Sequence, residues 1–122
     1  MDQTMHTIFV ILSLVVALIA LASAAMDFRG TPQIEDLMRR LGYRPKFEHM
    51  LGVIKVVGAL GLLVGLVIGP QVLALAAAFG FTLYFVLAAR AHRRIGDPTK
   101  ETVPAIGLTA LSAATLLTGI LS

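Results

Sequence analysis

The chain is 122 residues long, 57% of them hydrophobic and 14% charged, with a mean hydropathy of +0.88; this composition excludes an ordinary water-soluble domain and points to a protein embedded in lipid. It has no cysteine, which excludes disulfide exchange, thiolate catalysis, iron–sulfur clusters and cysteine-held zinc. The net charge of +3 is carried by residues flanking apolar segments, so membrane lipids with anionic head groups are the expected partner, and nucleic acid is not.

Crossing the hydrocarbon layer takes about 20 apolar residues as helix. Four windows qualify, Thr7 to Met26, Met50 to Ile68, Val72 to Ala89 and Val103 to Ser122, and only the second contains a charge, Lys55. The expected fold is all-α, an integral membrane four-helix bundle in a single domain over 1–122, with helices over about 5–27, 45–68, 71–92 and 102–121. In the first window Ala22-Ser23-Ala24 resembles a signal cleavage site. Its tail, however, carries Asp2 and no Lys or Arg, and its apolar run outlasts a signal, so a retained helix is expected.

Between the first two spans, "TPQIEDLMRRLGY" has the marks of a short helix over about 32–41. Thr31 can cap it and Pro32 suits its first position. Glu35 and Asp36 lie near its positive end, Arg39 and Arg40 near its negative end, and Gly42 can close it. Ile34, Leu37, Met38 and Leu41 form one apolar face. The segment is expected to lie amphipathically in the membrane interface, or to dock on the bundle.

The second span, with its start expected at Pro45, carries Glu48, His49 and Lys55 among apolar residues. Glu48 and Lys55 are seven apart, on one helical face and roughly 10 Å apart along the axis, with Gly52 leaving a notch between them. Helical side chains lean toward the N-terminus, so the Lys55 amine should bend toward Glu48 and the head groups. Gly69-Pro70-Gln71 is a tight turn, making the second and third spans an antiparallel hairpin. Counting outward from Pro70, Lys55 falls level with Phe85 and Glu48 with His92, and Asp27 at the end of the first span reaches the same level.

The candidate ligand-binding set is therefore Glu48, His49, Lys55, Tyr84, Arg90 and His92. An ionisable residue inside a span costs on the order of 2.5–3.5 kcal/mol and so suggests function. The competing account has Glu48 stabilising its helix dipole and Lys55 snorkelling to the surface. His49 and His92 lack metal-ligand spacing, and His6 lies on the opposite side; no metal is expected.

Gly58, Gly61, Gly65 and Gly69 form a small-residue seam for helix packing, receiving another helix of the chain or, in the minority reading, a second copy. Asp97-Pro98 signals a turn, and Pro104 fits the first turn of the fourth span. Along that span Thr109, Ser112, Thr115 and Thr118 recur every third residue, and such hydroxyls commonly bond back to their own helix.

Five cations (Arg29, Arg39, Arg40, Arg44, Lys46) lie between the first and second spans, and four (Arg90, Arg93, Arg94, Lys100) between the third and fourth. The positive-inside rule puts both loops in the cytoplasm and both termini outside, in what is expected to be a bacterial cytoplasmic membrane.

"LGYRP", "LGVIKVVGALGLLVG" and "LAAAFGFTLYFVLAARAHRRIGDP" followed by "VPAI" resemble the DoxX-like family of small four-helix membrane proteins, from about residue 41 onward. The resemblance implies a fold more than an activity. Its members include subunits of quinone-linked oxidase systems and membrane assembly factors, and it carries no agreed catalytic motif. Three functions are weighed: a non-catalytic accessory or assembly subunit with a membrane-protein partner or as a homo-oligomer, a quinone- or lipid-binding subunit of a membrane oxidoreductase, and, last, an oligomeric transporter. No nucleotide-binding or hydrolase motif is present. No cofactor is required, quinone being the one envisaged.

Overall fold

The structure, a computed structural model, describes residues 3–44, 46–96 and 99–122, and of 99–102 only the backbone. Asp2, the helix start expected at Pro45, the turn expected at Asp97-Pro98 and the Lys100 side chain lie outside the described residues. Five helices follow one another: α1 (Gln3–Arg29), α2 (Pro32–Leu41), α3 (Phe47–Val67), α4 (Gln71–Arg94) and α5 (Thr99–Leu121). All but α2 are long and apolar enough to cross a membrane. α1 packs against α3 and α5, and α4 packs against the same two, so the spans form a four-sided bundle.

Some boundaries differ from the sequence reading for local reasons. α3 begins at Phe47 because Lys46 takes a left-handed backbone conformation, φ 63°, which no helix can continue through. α4 runs two residues past 92, where His92, Arg93 and Arg94 offset the negative helix end. α5 starts at Thr99, which places Pro104 in its second turn and not its first.

α2 is closed at both ends by its own sequence. Thr31 Oγ1 accepts from the Ile34 N–H at 3.3 Å. At the other end Gly42, at φ 83°, donates to the Arg39 carbonyl and Tyr43 donates to Met38, each at 3.0 Å, a Schellman closure. Met38 is buried while Ile34, Leu37 and Leu41 are half-buried, so the apolar face is turned onto the protein at the basic end of the bundle. Arg94 Nη2 reaches the Leu41 carbonyl at 3.4 Å, joining α2 to the end of α4.

Packing between spans cannot rely on the hydrophobic effect, since lipid tails are as apolar as leucine, and close contact must supply the attraction. Small residues allow it here. From the turn outward, Gly65 faces Ala74, Gly61 faces Ala77 and Gly58 faces Phe81, each pair at nearly equal distance along the chain from the turn. The seam of α3 thus receives α4. Gly69 does not extend it: lying outside the helix at φ 89°, it makes the turn, and a Cβ there would meet only the Gln71 nitrogen at 4.0 Å. On α5, the buried Gly119 accommodates Phe9 of α1 and Leu75 of α4. Phe9, Val16, Ala20, Leu62, Phe81 and Phe85 occupy the core, whereas Leu18, Val57, Val67 and Leu87 face outward.

Identical substitutions at two glycines should therefore give opposite results. Gly65→Ala drives a methyl group onto the Ala74 backbone and should lower stability by about 1–3 kcal/mol in denaturant unfolding. Gly80→Ala, with nothing within 4 Å, should remain within about 1 kcal/mol of wild type.

Candidate functional site

Ser23 and Asp27 lie one turn apart on α1 and so share a face. The hairpin ladder of α3 and α4, continued one step beyond Gly58 and Phe81, sets Lys55 against Tyr84. The three helices meet at the Lys55 ammonium. Its Nζ donates to Ser23 Oγ and to Asp27 Oδ2, both at 2.7 Å, and lies 5.5 Å from the centroid of the Tyr84 ring. Lys55 is 7% exposed and Asp27 5%. Each cancels the other's charge, and the ring face adds a cation–π contact, so the pair itself carries no net charge.

Lys55 makes its hydrogen bonds to α1 and none to Glu48, and at 7% exposure it does not snorkel to the surface. The amine crosses to α1 because Asp27 offers a full opposite charge within side-chain reach, which exposure at the surface would forfeit. The Gly52 notch is also filled. The Phe28 ring sits so close that a Cβ on Gly52 would meet it at 2.9 Å, and Gly52 lies between Glu48 and Lys55 on their shared face. The bland alternative of an extended, water-seeking lysine is replaced by a clamp across α1, α3 and α4.

Glu48 is 1% exposed and its Oε2 has no hydrogen-bond partner. His49 is exposed, its ring edge-on to Phe28 with centroids 6.3 Å apart. Arg90 is exposed and His92 half-buried toward the end of α4. Of the six candidate residues, then, Lys55 and Tyr84 come together, while Glu48 and His49 belong to a second level nearer the basic end. There a cavity of about 340 Å³ opens between α2 and the start of α3, with Glu48 in its wall.

Sequence reasoning missed Ser23, which it read only as part of a cleavage-like triplet, and left Asp27 outside the candidate set. The available signal was charge balance: one cation inside a span calls for an anion at its depth, and Asp27 had been placed there. Among the described residues no three His, Asp or Glu side chains assemble into a group able to hold a metal. The α5 hydroxyls of Thr109, Thr115 and Thr118 donate to the carbonyls of Ala105, Leu111 and Ala114. Ser112 does not follow them: like Ser13 on α1, it is buried with no partner for its hydroxyl.

Removing one member of the clamp strands the other charge. Lys55→Met or Asp27→Asn alone should cost about 3–5 kcal/mol in unfolding, and the Asp27→Leu/Lys55→Met pair should recover most of that loss. Additive losses would show that the two side chains do not act as a unit.

No curated protein and no solved structure matches the chain. The model of the DoxX-like family matches residues 11–115, a span that takes in most of α1, with Ser23 and Asp27, as well as the hairpin and most of α5. A bundle of four membrane spans with this match over most of its length belongs to the DoxX-like family.

Proposed function

We propose that this protein is a non-catalytic accessory or assembly subunit of a membrane complex, acting through helix packing and contacts at the membrane interface. The observation that carries this reading is the saturation of Lys55. The one cation buried among the described spans is consumed by Ser23, Asp27 and Tyr84, which suits a brace better than a reactive group. The apolar faces of the spans and the basic end of the bundle are the surfaces left for other molecules. Affinity purification of the full chain from gently solubilised membranes should recover one reproducible partner, and the charge-free Asp27→Leu/Lys55→Met pair should recover it equally. A chain that purifies alone, or a partner lost with the charges while the fold persists, overturns the reading.

A quinone-binding subunit of an oxidoreductase is the second reading, favoured by the inward direction of Lys55 beside Tyr84. It requires a quinone to co-purify with the wild type and to be lost on Lys55→Ala.

The basic loops are assigned to the cytoplasm and both termini to the outside of a bacterial cytoplasmic membrane, on the distribution of Lys and Arg. Since the chain has no cysteine, single introduced thiols report orientation cleanly. Gln3→Cys should react with an impermeant thiol reagent in intact spheroplasts, and Gln33→Cys only after lysis. The opposite pattern would invert the topology.

A further inference from the structure

We propose that the cavity between α2 and α3 binds a primary-amine phosphodiester, the head group of an ethanolamine phospholipid. The cavity is lined by two acids, Glu35 and Glu48, and by three cations, Arg39, Arg44 and Lys46. Glu48 and Glu35 converge: a Cβ on Gly30, which is held at φ 63°, would meet Glu35 Oε1 at 3.4 Å and Glu48 Oε1 at 3.6 Å. Glu48 is almost wholly buried, yet its Oε2 accepts no hydrogen bond. Such an atom calls for an N–H or O–H donor, and a cationic donor also answers the second carboxylate nearby.

Arg39, Arg44 and Lys46 line the same cavity and are exposed, as a phosphate-binding wall should be. Arg39 is within 3.7 Å of Asp36 at the surface, and Arg44 lies over the Phe47 ring at 5.9 Å. These contacts leave most of the five donors of each guanidinium uncommitted. The lining thus brings two carboxylates, one of them with an unpaired oxygen, and three cationic side chains to one small volume.

Chemistry narrows the choice of head group. A choline ammonium has no N–H to give Glu48 Oε2. Glycerol carries no cation at all, and serine would bring a further carboxylate against Glu35 and Glu48. A volume of about 340 Å³ stands at the small end of ligand sites, roughly 300–1,000 Å³, and suits a head group with its acyl chains outside. Met50, Val53 and Val57 are exposed on one face of α3, whose first turn borders the cavity, and offer those chains an apolar track. A free phosphoethanolamine ester would satisfy the same polar groups without using that track.

The test is native mass spectrometry of the full-length protein released from vesicles of equal dioleoyl-phosphatidylethanolamine, -phosphatidylcholine and -phosphatidylglycerol. The wild type should retain the ethanolamine lipid about tenfold over the other two. Glu48→Gln should reduce that preference to near unity. Arg44→Ala/Lys46→Ala, altering two exposed side chains, should lower ethanolamine-lipid retention with helicity unchanged, and covers the case in which Glu48→Gln fails to fold. Displacement by millimolar glycerophosphoethanolamine would show that head-group chemistry suffices, whereas retention against it would show that the acyl track contributes; either supports the site. Equal retention of the three lipids by the wild type, or an undiminished preference in folded Glu48→Gln or in Arg44→Ala/Lys46→Ala, overturns it. Lipid retention is read without any partner protein, so this proposal and the accessory role fail independently.

Discussion

A charge cannot remain alone in a hydrocarbon layer, and the architecture of this bundle is organised around that constraint. Lys55 would cost on the order of 2.5–3.5 kcal/mol as an isolated residue within a span. With Asp27 and Ser23 each at 2.7 Å it becomes a neutral polar contact, satisfied at close range. The helices that supply those partners are fixed in mutual height as a result. A shift of α1 by one turn relative to α3, about 5.4 Å, would separate the two charges and leave both in apolar surroundings. An ion pair of this kind adds little to stability over well-packed leucines, but it excludes alternative registers.

Register matters because the rest of the packing is so smooth. Contacts between α3 and α4 are made by Gly65 on Ala74, Gly61 on Ala77 and Gly58 on Phe81. Glycine and alanine surfaces permit close approach without defining which residue meets which. The tight turn at Gly69 and Pro70 fixes one end of this hairpin and the Lys55 contact with Tyr84 marks the other. Between α4 and α5, Gln71 Nε2 bonds the Gly119 carbonyl and Ser122 Oγ at 3.2 and 3.1 Å, giving the opposite end of the bundle a polar fastening of its own.

Two levels of polar chemistry are thereby separated along the axis. Deeper in the bundle, the Lys55 cluster is closed on itself and serves the fold. Nearer the basic end, Glu48 is buried but unanswered, beside a cavity walled by cations. Phe28, itself partly exposed, packs on Gly52 between them. Polar residues seven apart on one helix face thus differ in what they meet: Lys55 is fully partnered, whereas Glu48 keeps an unpaired oxygen.

Much of this was legible in the sequence alone. Apolar windows of about 20 residues have the length and composition of spans, and the cap and closure of α2 are set by Thr31, Pro32 and Gly42, whose local chemistry needs no distant partner. The level of Lys55 followed from the hairpin, because helical rise is constant on both sides of a tight turn. Direction was not legible. Which way the ammonium bends depends on what α1 presents across the gap, and neither Ser23 nor Phe28 has a periodic signature that marks it for that role. Helix geometry determined the height of each side chain, and only the packing of one helix on another decided which of them meet.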